Sequence, residues 1–205
     1  MVVGLDEAGR GPLAGPVIAA AVCVSSSSYK VIKLKGIDDS KKLSEKKREE
    51  LYEILTSHKD VRWGIGVVSE KVIDKINILE ATKLAMQKSI DNLLHKTSDR
   101  VKSARGCFLL IDGNFAVKNN LPQASIIKGD QKVFSIASAS IIAKVTRDRL
   151  MQKMHKKYPK YGFDKHKGYG TAFHLKHLKI FGACKIHRKT FFPVLQQTIA
   201  KNEVI

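Results

Sequence analysis

Three short apolar stretches of this sequence stop at carboxylates. Residues 1–5 lead into Asp6 and Glu7, residues 107–111 into Asp112, and residues 124–128 into Gly129 and Asp130. Such runs, bounded by polar or glycine residues, read as buried strands. A chain made this way must build a sheet covered on both faces, and open α/β sheets present functional side chains where their strands end. If the three strands are neighbours, their acids converge.

The rest of the chain supplies the covering. Residues 9–16 form a glycine- and proline-rich turn into a second strand, Val17–Val24, so the start reads as a β-hairpin. Residues 39–58 contain a helix with Leu51, Ile54 and Leu55 on one face, and residues 61–68 form a third strand that includes Trp63. Asn77, with Glu80 three residues on, opens a helix in the manner of a capping box; Ile78, Leu84, Ile90 and Leu94 follow at helical spacing. Residues 97–106 are a polar loop. Residues 133–158 form a long helix whose stripe is Ile136, Ile141, Val145, Leu150 and Met154, and whose first half is slim. Short helices near 170–180 and 192–202 are joined by basic loops. The expected architecture is α/β, a mixed sheet flanked by helices. One domain spans 1–205, with 160–205 as a basic helical C-terminal region.

Charge narrows the function. The net charge is +18, and residues 144–189 hold 14 Lys and Arg against two acids, Asp148 and Asp164. Tyr158, Tyr161, Phe163 and Tyr169 are interleaved with these cations. That pattern points to a polyanionic partner, nucleic acid, rather than to a merely solvated surface. The longest apolar stretch, Val17–Val24, is far shorter than the roughly 20 residues of a membrane span. The start MVVGLDEAGRG lacks the layout of a signal peptide. Cys23, Cys107 and Cys184 are too few and too scattered for a disulfide framework, so the expected setting is the reducing cytoplasm.

Gathered carboxylates need neutralising. Two unit charges about 4 Å apart repel by about 4 kcal/mol at an effective dielectric of roughly 20. All-oxygen donors suit Mg²⁺ or Mn²⁺, and an acidic metal pocket beside a basic surface suits two-metal phosphodiester hydrolysis. From spacing alone the alternative stays open that each aspartate is a turn residue or a helix cap.

The segment Asp6-Glu7-Ala8-Gly9-Arg10-Gly11 resembles the opening signature of ribonuclease HII. Further blocks resemble the family in the same order: residues 39–44 (DSKKLS), 76–81 (INILEA), 111–113 (IDG), 128–130 (KGD), 139–148 (ASIIAKVTRD), 166–171 (HKGYGT) and 187–191 (HRKTF). The related ribonuclease HIII type has a further N-terminal domain and a different glycine motif, so HII is the better match. The resemblance implies a ribonuclease H-like fold and an endonuclease that cuts the RNA strand of RNA·DNA hybrids. It implies incision 5′ of single ribonucleotides in duplex DNA, leaving 3′-hydroxyl and 5′-phosphate ends, a step of ribonucleotide excision repair. Carried over by motif, Asp6, Glu7, Asp112 and Asp130 are the catalytic carboxylates that hold two Mg²⁺ or Mn²⁺ ions. The expected partners are hybrid and ribonucleotide-containing duplexes, with no membrane, and the protein is expected to be a monomer.

RNA differs from DNA at one nucleotide by its 2′-hydroxyl. Gly9, Arg10 and Gly11 can bring backbone groups close to it, and the resemblance assigns them that role. Tyr169, between Gly168 and Gly170, can lay its ring on a deoxyribose; in the family this tyrosine senses the RNA-to-DNA junction. Ser40 and Lys41 precede a helix, and Lys144, Arg147 and Arg188 are basic; all five are expected to position phosphates. Asp148 is read as structural, paired with a basic neighbour. Two rivals remain on the residues alone. His174, His177, Cys184 and His187 could be imagined as a zinc site, and a non-catalytic basic module would account for the charge but not for the acids. No GKS or GKT follows the early glycines, which disfavours an NTPase.

Overall fold

The computed structural model describes residues 1–25, 37, 43–95 and 106–196. The strands β1 (Val2–Ala8), β2 (Val17–Val24), β3 (Val61–Val68), β4 (Phe108–Asp112) and β5 (Gln123–Ile126) form one sheet in the order β3-β2-β1-β4-β5. The first three strands are an antiparallel meander, and β4 and β5 add to the far side of β1 in parallel. The parallel pairing needs a crossover, which the long helix α2 (Glu70–His95) begins.

Alternation along the strands makes two cores. On one face Val3, Leu5, Leu109 and Ile111 pack with Ile73, Ala85, Met86, Ile90 and Leu93 of α2. On the other, Ala20 and Val22 meet Leu51 and Leu55 of α1 (Glu45–Ser57) and Ile141, Ile142 and Val145 of α3 (Phe134–Lys157). A Cβ built on Gly4 would lie 2.2 Å from the Ser135 carbonyl carbon. The slim first half of α3 therefore rests directly on the backbone of β1, which sets how close the helix comes to Asp6. A smaller cluster of Ala14, Met151, Tyr161, Phe163 and Ile186 ties the C-terminal part, with α4 (Phe163–His166) and α5 (Ala172–Phe181), to the end of α3.

The boundaries differ from the sequence reading in ways that matter for the acids. β1 runs on to Ala8, with Asp6 opposite Ala20 and Glu7 opposite Ala19, because hairpin pairing continues past the charged residues. β5 stops at Ile126, and Asp130 lies in a 3₁₀ turn, Gly129–Gln131. The helix expected from Asn77 is preceded by a helical segment from Glu70, and Asn77 (φ 64°) is the kink between the two. Its Oδ1 accepts from the Leu79 and Glu80 amides at 2.9 and 3.1 Å, as a cap should, while the Glu80 carboxylate turns to Lys83 at 2.8 Å instead of closing the box. Residues 39–42 of the first expected helical stretch, nearly all of the 97–106 loop and most of the last expected helix lie outside the described residues. Among the described residues no helix is long and apolar enough to cross a membrane.

Candidate active site

β1 and β4 run parallel with Leu5 opposite Ile111, so Asp6 and Asp112 come next, side by side. Both fall on the α3 face of the sheet. The 3₁₀ turn after β5 adds Asp130, and one carboxylate oxygen from each of the three lies within 4.8 Å of the others. Among the described residues no other trio of His, Cys, Asp or Glu offers ligand atoms this close. Asp6 and Asp130 are buried. The Gly129 amide donates to Asp112 Oδ1 at 2.7 Å, and a Cβ there would lie 2.6 Å from Ile136 Cδ1, so that side chain would have to shift to admit one. Asp6 accepts from the Glu7 amide at 2.7 Å and from the Ser140 hydroxyl. Burial pushes the Asp6 carboxyl well above its usual range, the charges of Glu7 and Asp112 push it further, and the Ser140 bond opposes them. A cluster of hard oxygen donors in which burial and crowded negative charge favour the protonated form of Asp6 is what a divalent cation relieves by taking the proton's place.

Glu7 departs from the expected set of four. Alternation turns it to the face opposite Asp6, and its carboxylate accepts from Arg10 Nη1 at 3.3 Å. It lines the same cleft, at the edge of the trio rather than in it.

That cleft encloses about 500 Å³, and its walls include Asp6, Glu7, Gly9, Arg10, Gly11, Arg48, Asp112, Ser140, Lys144 and Tyr169. A larger cavity of about 670 Å³, bordered by Cys23, Lys59, Asp60 and Arg62, gathers no such chemistry. Gly9 has φ +97°, and a Cβ there would fall 2.0 Å from Arg147 Nε. A Cβ on Gly11 would touch the Tyr169 ring at 3.8 Å, so the two elements read from sequence as ribose readers are neighbours. Tyr169 is 44% exposed, so its ring is open to the cleft rather than packed in the core.

The carbonyl of Tyr169 is held by a relay of buried rings. The Cys184 amide donates to His187 Nδ1 at 2.9 Å, which puts the His187 proton on Nε2. That proton bridges to His174 Nε2 at 3.0 Å, and His174 Nδ1 donates to Tyr169 O at 2.8 Å. Desolvation lowers both imidazoles to about 4, which keeps them neutral. The zinc reading falls here. His174 and His187 are satisfied by each other, and His177 stands apart, stacked on Phe173 at 3.9 Å.

The expected phosphate contacts divide. Lys144 lines the cleft and pairs with Asp148 at 2.9 Å, the basic neighbour anticipated for that acid. Ser40 and Lys41 lie outside the described residues. Arg147 and Arg188 need correction, since both are buried with their donors spent on main-chain carbonyls. Arg147 donates to Ala14, Pro16 and Lys167, and Arg188 to Gly9, Arg10 and Gly15. They shape the cleft from beneath. Two cleft residues went unread in the sequence. Ser140 was one slim residue among several on α3, and Arg48 was one charge among many on the outer face of α1; neither carries a local signal.

The ribonuclease HII family model matches residues 3–194. A ribonuclease HII of Chlamydia muridarum is 55% identical over 193 residues, covering 94% of this chain and 82% of its own. One from Acetivibrio thermocellus is 49% identical, covering 93% and 69%. The crystal structure of ribonuclease H2 from Pyrococcus horikoshii superposes with a TM-score of 0.76 at 26% identity, covering 98% of this chain and 99% of that one.

Proposed function

The chain belongs to the ribonuclease HII family and is a ribonuclease H, and from this premise we propose that it cuts the RNA strand of RNA·DNA hybrids and incises duplex DNA 5′ of single embedded ribonucleotides, leaving 3′-hydroxyl and 5′-phosphate ends. The observation that carries the reading is the Asp6, Asp112 and Asp130 trio set in a cleft walled by glycines, cations and an exposed tyrosine. Asp6, Asp112 and Asp130 would hold Mg²⁺ or Mn²⁺, with Glu7 completing the set at the cleft edge. Two ions held there would supply activation of a water and stabilisation of the departing 3′-oxygen. The Ser140 hydroxyl and the Gly129 amide fix Asp6 and Asp112 in place beforehand. Gly9, Arg10 and Gly11 approach the 2′-hydroxyl with backbone groups, and Tyr169 faces the adjoining deoxyribose. Lys144, and with it Ser40 and Lys41, position phosphates. The basic region 160–205 extends the grip on the duplex, within a single catalytic domain acting as a cytoplasmic monomer in ribonucleotide excision repair.

The test is Asp112→Asn on a duplex carrying one ribonucleotide, with and without Mg²⁺ or Mn²⁺ and with the cut mapped. We expect metal-dependent cleavage in the wild type on the 5′ side of the ribonucleotide, and at least a hundredfold loss in the variant with binding retained. A wild type that binds the duplex in either metal and never cuts it supports the basic-module alternative instead.

A further inference from the structure

Arg188 is fully buried, and all three of its guanidinium nitrogens donate to main-chain carbonyls: Nε to Gly15 at 3.0 Å, Nη1 to Arg10 at 2.8 Å and Nη2 to Gly9 at 2.6 Å. Burying a guanidinium is costly unless its donors are satisfied. Here a second one, Arg147, lies close enough to add to desolvation, and together they lower Arg188 to about 9. A loop that merely needed tying down could use a neutral side chain. A planar fork does something else: it fixes several carbonyls in one orientation.

That orientation has a consequence across the peptide plane. In a trans peptide the C=O of one residue and the N–H of the next point in opposite directions, and among the described residues the cis peptide is Phe192-Pro193, outside this segment. With the Gly9 and Arg10 carbonyls drawn inward to Arg188, the Arg10 and Gly11 amides point the other way, and both residues line the cleft. The guanidinium is itself anchored. The Arg188 amide donates to Leu13 O at 2.9 Å, and the amides of Lys189 and Thr190 both bond Asp74 of α2 at 3.0 Å.

We propose that Arg188 is a positioning residue for ribonucleotide selection, its fork turning the Gly9 and Arg10 carbonyls into the protein and so aiming the Arg10 and Gly11 amides at the ribose 2′-hydroxyl. The inference rests on the reading of the glycine segment as the 2′-hydroxyl reader. It places part of the specificity on a residue that never touches the nucleic acid.

The experiment compares wild type, Arg188→Lys and Gly11→Ala. Each is checked for cooperative thermal unfolding and titrated, in EDTA so that nothing is cut, with two duplexes of one sequence, all-DNA or carrying one ribonucleotide. Lysine keeps the charge and loses the fork. We expect Arg188→Lys to shrink the preference for the ribonucleotide duplex at least tenfold while affinity for the all-DNA duplex moves less than twofold. Retained preference, or an equal loss on both duplexes, overturns the proposal. Gly11→Ala has room in the fold and places a methyl in the path of the sugar. If it keeps the preference, the glycine-segment reading fails and takes the inference with it. If it loses the preference while Arg188→Lys keeps it, the inference alone fails. Should Arg188→Lys not fold, amide spectra of the wild type decide: Arg10 and Gly11 shift with the ribonucleotide duplex and not with the all-DNA one, and their failure to do so refutes the positioning.

Discussion

Asp6 sits under opposing demands. Burial and the neighbouring charges of Glu7 and Asp112 favour its neutral form, while cation binding needs it ionised. The cluster is therefore a local strain on the metal-free protein. Asp112→Asn keeps an acceptor for the Gly129 amide and removes one charge. It should raise the metal-free protein's stability by about 1 kcal/mol, and it should abolish the rise in melting temperature that Mg²⁺ or Mn²⁺ gives the wild type. Thermal melts in EDTA and in excess metal read both effects, and a variant that still gains stability from metal removes Asp112 from the ligand set. Tyr169 is a second residue with a distinct signature. Its ring is exposed beside Gly11 while its carbonyl is fixed by His174. Tyr169→Ala should cut kcat/KM at a lone ribonucleotide by ~1–3 kcal/mol of transition-state binding, the scale of aromatic contacts with nucleic acid. Unchanged kinetics there would refute the junction-reading role. The sequence singles these residues out as candidates because acids at the ends of apolar runs, and a tyrosine between glycines, are unusual locally. Arg147 and Arg188 were misread for the opposite reason: an arginine in a basic stretch gives no local sign of whether it faces water or the interior.

Helix α2 shows how local signals and tertiary demands divide an element. The cap at Asn77 was read from sequence and its side chain caps as expected, but Glu80 bonds Lys83 and does not close the box. The helical turns before it carry no cap of that kind and were missed. They begin with the Val72 and Ile73 amides bonding Ser69 O, and are held by packing, with Ile73 buried against the sheet and Asp74 bonded to the amides of Lys189 and Thr190. Because Asn77 combines a cap with φ 64°, its replacements separate the two contributions. Asn77→Ala loses the cap and strains the backbone, so it should cost about 1–2 kcal/mol in urea unfolding. Asn77→Gly loses the cap alone and should cost distinctly less. Equal costs would show that the positive φ carries no strain. The strands were read nearly residue for residue where both faces are buried, as in Val17–Val24. The error came at β1, where pairing with β2 carries the strand past charged residues that local hydrophobicity would have excluded.

At the scale of the molecule, the C-terminal part is bound to the rest of the fold by interior polar contacts as well as by apolar clusters around Ala14 and Leu13. The His187–His174 relay is the titratable piece of that interior. In the folded protein both rings are neutral down to about 4, whereas in the unfolded chain they take up protons near 6.5. Between those values the unfolded state binds more protons, so stability falls as pH drops through this window and is fully present above it. Urea unfolding should show a loss on the order of 2 kcal/mol per ring between pH 7 and pH 5. Stability at pH 5 equal to that at pH 7 would contradict the relay. The chain's order of apolar runs, breaks and charges was enough to determine an α/β sheet protein with an acidic centre and a nucleic-acid partner, since each of those depends on residues close together in sequence. Which acids actually meet, why Glu7 stands at the edge, and that two arginines work from inside depended on strand register and on which face of a strand or helix is covered. Those are settled by contacts between residues as far apart as Gly9 and Arg188, and no window of neighbouring sequence contains both partners.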